Sequence, residues 1–118
     1  MKLLSTKTHG MIDYASAPLL LSLPRLLKWN RSATSLLTGA AIGATLYSIV
    51  TRYELGVVKL LPMRAHLALD GMSGVLLAAA PFFLPEEDEA VTAGLVGIGL
   101  FEVMAALTTE THSPEEQR

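Results

Sequence analysis

The sequence predicts an all-α integral membrane four-helix bundle built from two tandem transmembrane hairpins, and three observations carry that prediction. The first is a duplication. Lys7-Thr-His9-Gly-Met-Ile-Asp13-Tyr-Ala-Ser16 returns in register as Arg64-Ala-His66-Leu-Ala-Leu-Asp70-Gly-Met-Ser73. The same offset matches Leu19, Leu20, Pro24 and Leu27 with Leu76, Leu77, Pro81 and Leu84, and Thr51 with Thr108. Self-similarity at a fixed period marks a repeated structural unit. The second is composition: 51% of residues are hydrophobic and only 17% charged, where soluble domains carry about a quarter charged. The third is Ser32 to Thr51, a stretch without a single charge. At 1.5 Å per residue, its roughly 20 residues match the ~30 Å hydrocarbon core of a bilayer. A soluble bundle would need a charged outer face on every helix, and neither Ser32 to Thr51 nor Gly71 to Leu84 supplies one.

The predicted spans are Thr8 to Leu27, Ser32 to Thr51, Ala65 to Leu84 and Ala90 to Thr109. They form one domain over residues 1–118, with repeat one at about 5–56 and repeat two at about 62–113. Pro24, Arg25, Lys28, Trp29 and Arg31 read as a helix end at a headgroup interface, where tryptophan and snorkelling cations belong. Gly56 is the expected C-terminal cap of the second helix, and Pro62 suits the first turn of the third. Pro81 and Pro85 should close the third helix before the acidic run Glu86 to Glu89, which favours the start of the fourth. The polar tail from Thr111 to Arg118 is expected to fray. Lys2 and Lys7 resemble the start of a secretory signal, but His9 and Asp13 interrupt its apolar core, so the first helix is read as retained.

Composition also excludes classes. A net charge of -2 offers no basic face to nucleic acid, and the absence of cysteine excludes disulfides, thiolate metal sites and thiol nucleophiles. Four spans put both termini on one side. Lys2, Lys7, Arg52, Lys59, Arg64 and Arg118 then share that side, against Arg25, Lys28 and Arg31 opposite, which places the termini in the cytoplasm by the positive-inside rule. Two hairpins of like orientation are related by a pseudo-two-fold along the membrane normal. Both His/Asp pairs therefore lie at one depth, near the cytoplasmic face.

His9, Asp13, Ser16, Leu20 and Pro24 fall on one helical stripe, repeated by His66, Asp70, Ser73, Leu77 and Pro81, and this stripe is where the halves should meet. Ionisable groups inside a bilayer are costly and mark a functional hypothesis. His9, Asp13, His66 and Asp70 form a candidate metal set suited to zinc, manganese or iron; the plainer alternative is that the histidines sit at the interface while the aspartates hold helix ends together. Arg52, Glu54 and Arg64 border the same side, and depth predicts an Asp13–Arg52 pair with no counterpart of Arg52 for Asp70, which would then depend on His66, Arg64 or the other repeat. Glu102 interrupts an apolar span and aligns with Thr45; facing inward it would join Asp13, Asp70, Ser16, Ser73, Thr45 and Ser48 around a polar pocket, and facing outward it would meet a partner protomer. Gly39, Gly43, Gly94, Gly97 and Gly99 form small-residue ridges expected to pack inside the bundle. Met11, Met63, Met72 and Met104 read as apolar filler, and His112 as a tail residue without a partner.

Together, the His9-Gly-Met-Ile-Asp13-Tyr14 motif, the stretch from Tyr47-Ser to Thr51-Arg-Tyr-Glu54, and Leu61-Pro-Met leading to His66 and Asp70 resemble the SPW-repeat family of small bacterial membrane proteins. The Ser-Pro-Trp motif that names the family is reduced to Leu23-Pro24-Arg25 and Ala80-Pro81-Phe82. The resemblance implies a multi-pass protein of the bacterial cytoplasmic (inner) membrane and carries no activity with it. From the residues, the expected function is a non-enzymatic membrane protein that packs with or regulates a partner, either a second copy or another membrane protein. Proton or cation handling through Asp13, Asp70 and Glu102 is the alternative, and a metal- or haem-binding redox subunit with His9 and His66 as axial ligands comes third. No catalytic residue and no cofactor are indicated, and no nucleic-acid partner.

Overall fold

Helix starts follow directly from the capping residues in the computed structural model, which describes residues 2–84 and 88–117. Ser5 accepts the Thr8 amide at 3.1 Å and opens helix α1 (Thr6–Leu26). Asn30 accepts the Ala33 amide at 2.9 Å and opens α2 (Arg31–Ile49). Asp88 accepts the Ala90 amide at 2.8 Å and opens α4 (Glu89–Thr108). Each satisfies a first-turn donor that the helix itself cannot. Helix α3 (Met63–Phe83) starts after Pro62, whose missing N–H costs nothing there. Every predicted span agrees with its helix to within two residues. Pro85, Glu86, Glu87 and Arg118 lie outside the described residues.

Several local expectations are corrected. Helix α2 ends at Ile49, capped by Val50, so Gly56 lies in the following loop, where a Cβ would collide with the Thr51 carbonyl. Pro62 precedes the first turn of α3, and Pro81 lies inside α3, which continues to Phe83. The turn after α1 is a Schellman motif: the Trp29 amide donates to Pro24 O at 2.8 Å and the Lys28 amide to Arg25 O at 3.4 Å. Lys28, at φ 57°, holds the left-handed position that glycine usually takes. The tail is also tied down. Ser113 donates to the Arg52 carbonyl, Glu116 accepts from the Met63 and Ser113 amides, and Lys59 pairs with Glu115 at 3.4 Å.

Among the described residues, α3 and α4 are long and apolar enough to cross a membrane. Helix α2, the expected archetype of a span, does not qualify, because its serines, threonines and glycines dilute its apolar content. Yet all four helices face outward with large apolar side chains, among them Leu19 at 60% exposure, Leu46 at 62%, Leu76 at 68% and Met104 at 63%.

Helices pair within each repeat, α1 against α2 and α3 against α4, with a slighter contact between α2 and α3. Leu20, Leu37, Leu77, Val91 and Leu95 form the core toward the turn that joins α1 to α2, and Tyr53, Met63 and Leu67 a smaller one toward the termini. The α3–α4 crossing is the tighter, since a Cβ on Gly74 would stand 2.5 Å from Gly99 O, and one on Gly99 would stand 2.6 Å from Ala78 N. Gly94 makes room for the Trp29 ring. Gly39 and Gly43, by contrast, would place a Cβ against nothing within 4 Å, so the expected ridge on α2 does not pack inside the bundle.

The two-fold repeat is visible in the backbone. Leu4, just before α1, bridges to Thr109 at the end of α4; Leu61, just before α3, bridges to Thr51 at the end of α2. The second helix of each repeat is displaced by one residue relative to the sequence alignment. Thr51 thus corresponds to Thr109 rather than Thr108, and Glu102 to Ala44 rather than Thr45.

Candidate metal centre

The backbone bridges place the start of each His-bearing helix beside the end of a Thr-bearing one, and the side chains complete the arrangement. Thr51 donates its hydroxyl hydrogen to Tyr47 O at 2.6 Å, and Thr109 does the same to Ala105 O at 2.6 Å. With its hydrogen committed, each hydroxyl can only accept from the imidazole beside it. His66 Nδ1 stands 2.8 Å from Thr51 Oγ1, and His9 Nδ1 stands 2.7 Å from Thr109 Oγ1. Both Nδ1 atoms therefore carry hydrogen, and in the neutral ring each Nε2 presents its lone pair.

Those two Nε2 atoms face the two carboxylates. His9 Nε2 lies 2.7 Å from Asp70 and 3.2 Å from Asp13; His66 Nε2 lies 3.0 Å from Asp13 and 3.1 Å from Asp70. One donor atom from each of the four residues falls within 4.8 Å of the others. His66 is completely buried, and although its Nε2 is close to both carboxylates, neither is oriented to hydrogen-bond it. A lone pair facing carboxylate oxygens in a dry interior is repulsive unless something positive lies between them. Two protons or one divalent cation would each balance the pair of carboxylates.

Outer groups hold the carboxylates in turn. Tyr47 donates to Asp70 Oδ1, leaving Oδ2 for the imidazoles. Tyr53 donates to Asp13 Oδ2 at 2.8 Å. Burial, and then the Asp13 charge, push the Tyr53 hydroxyl well above its ordinary value, so it remains a donor. The His66 ring is packed against Tyr47 edge-on at 5.0 Å, against Tyr53 at 5.2 Å and against His9 edge-on at 5.3 Å. This is the support that metal-binding histidines and carboxylates ordinarily receive from their surroundings.

The four residues of the candidate metal set are thus brought together, while the bordering residues are not. The expected Asp13–Arg52 pair does not form. Arg52 has no carboxylate in ion-pair range among the described residues, and its backbone carbonyl accepts from Ser113. Asp70, expected to depend on His66, Arg64 or the other repeat, meets His66 on its own helix and His9 and Tyr47 from the other repeat, and not Arg64. Glu54 accepts from Thr6 at 2.8 Å, away from the centre, and Arg64 is exposed. Glu102 is half-buried, contacts Ser73 at 3.5 Å and stands outside the tetrad. Thr45 donates to its own helix at Ala41 O, and His112 meets the Thr111 hydroxyl at 3.1 Å.

Thr51, Thr109, Tyr47 and Tyr53 are the residues sequence reasoning missed. The threonines were detectable as a recurrent pair once the alignment slips by one residue between the two helices of each repeat.

Comparison with known proteins leaves the geometry to speak alone. The chain matches no family model, no curated protein and no solved structure.

Proposed function

We propose that this chain is a four-span membrane protein that holds one divalent transition-metal ion between His9, Asp13, His66 and Asp70, and that the ion clasps the two hairpins together. The observation that carries the reading is the fully buried His66 Nε2, turned toward two carboxylates with its Nδ1 hydrogen already committed to Thr51. Two imidazoles and two carboxylates suit zinc, manganese or ferrous iron, and a divalent cation makes the set electrically neutral. The donors converge on one point with the two rings edge-on, which favours a single ion over a haem slot between them.

Membrane placement is supported by the outward apolar side chains on all four helices, with the buried polar groups gathered inside one end. On this reading the termini and the metal centre lie at the cytoplasmic face of a bacterial inner membrane, in keeping with the excess of Lys and Arg there and with the SPW-repeat resemblance. A second reading, a purely structural cluster with both histidines protonated, is favoured by the short 2.7 Å approach of His9 to Asp70.

One experiment separates the two readings. The chain is purified from membranes in detergent and assayed for metal by elemental analysis and by titration with cobalt(II), whose visible bands report nitrogen and oxygen coordination. One ion per chain, lost in His66→Ala and Asp70→Asn, is the expected result. A folded wild-type chain that takes up neither zinc nor cobalt overturns the proposal.

A further inference from the structure

The two hairpins do not close along α1 and α4. A cavity of about 340 Å³ lies there, within the size range of small-molecule sites, and it reaches the metal-centre carboxylates at its inner end. Its outer rim is apolar, with Leu19 at 60% exposure and Phe101 at 53%. These residues sit near the middle of their helices, so in the membrane placement proposed above the rim faces acyl chains rather than water. A hydrated ion does not enter from hydrocarbon. An amphiphile does.

Glu102 decides which kind. It lines the cavity, as does Ser16, and no Lys, Arg or His lies within ion-pair distance of its carboxylate among the described residues. Among the described residues its one hydrogen-bond partner is Ser73 Oγ, at 3.5 Å. Asp13 and Asp70 already have imidazole and tyrosine partners, which leaves Glu102 as the unbalanced acceptor. An anionic head would meet three carboxylates, and a hydroxyl head brings a single donor. An ammonium brings a positive charge and three donors, a match for one carboxylate and a neighbouring hydroxyl.

We propose that the α1–α4 cavity admits from the bilayer a single-chain amphiphile with a primary ammonium head, which Glu102 and Ser16 hold while the chain lies along Ile98 and Phe101. The proposal rests on the membrane placement but not on the ion.

The test uses the full chain in phosphatidylcholine nanodiscs with tritiated dodecylammonium, and zinc content is measured on the same samples. One saturable site per chain is expected, displaced by unlabelled dodecylammonium and not by dodecanoate. Glu102→Gln should weaken binding at least tenfold while keeping the wild-type zinc content. Gly97→Leu should weaken binding by crowding the mouth, and it is a safe second variant because a Cβ at Gly97 meets nothing within 4 Å. Unsaturable uptake, equal binding by wild type and both variants, or equal displacement by dodecanoate overturns the proposal. Zinc without amine sinks this inference alone, and amine without zinc sinks the metal reading alone.

Discussion

Replacing Thr109 by valine keeps the branched shape of the side chain and removes one oxygen. That oxygen is fully buried, donates to Ala105 O at 2.6 Å and accepts from His9 Nδ1 at 2.7 Å. Without it the His9 N–H is stranded in the interior, at a cost of about 1–3 kcal/mol. The imidazole also loses the contact that fixes its tautomer, and losses of this kind weaken metal binding roughly 10–100-fold. That factor equals about 1.4–2.7 kcal/mol, in agreement with the hydrogen-bond figure. The assay is competition for zinc against a fluorescent chelator in detergent. Thr109→Val should fall within that range, Thr51→Val should do the same through His66, and Thr109→Ser should recover most of the affinity. In a His9→Ala background, Thr109→Val should add little further loss, since the two residues act as a unit. A folded Thr109→Val chain that binds zinc as tightly as wild type would refute the tautomer argument and leave the metal reading standing.

Zinc should displace the protons that otherwise balance the carboxylates, so affinity rises with pH, by up to about 100-fold per unit where both imidazoles are protonated; calorimetry in buffers of different ionisation enthalpy counts the protons released. Gly99→Ala should destabilise the bundle by about 1–3 kcal/mol, because the new methyl meets Ala78 N at 2.6 Å and Ala78 Cβ at 2.9 Å. Gly97→Ala should instead be neutral or stabilising by up to about 1 kcal/mol, as a glycine replaced on an open helix face. Detergent unfolding of the pair checks both signs.

The helices were legible because their signals are local: long charge-poor runs, punctuated by Pro24 to Arg31, by Arg52 to Pro62 and by the acidic run Glu86 to Glu89. The His/Asp stripe was legible because the chain wrote it twice. What the sequence concealed was which hydroxyl groups hold the stripe. Depth arguments confined to one hairpin set Arg52 beside Asp13, but α2 stops at Ile49 and the chain turns, which brings the Tyr53 hydroxyl there instead. The partner of Asp70 stayed open among His66, Arg64 and the other repeat, because Ala105 and Thr109 on α4 offer no charge; its hydroxyl donor, Tyr47, comes from α2 of the other repeat. Helix α2 misled in another way. Absence of charge is not the same as apolarity, and its serines, threonines and glycines separate the two.

The reciprocal anchoring also sets an order in time. His66, in the second repeat, is held by Thr51 from the first, whereas His9 waits for Thr109, nearly the last residue before the tail. During synthesis His9 therefore emerges long before the hydroxyl that holds it, and it has no such acceptor until α4 arrives. The cluster closes only once α4 is in place. A product truncated before α4 would carry all four side chains of the cluster and still lack the hydroxyl that orients one imidazole, so an intact cluster reports that α4 is in place.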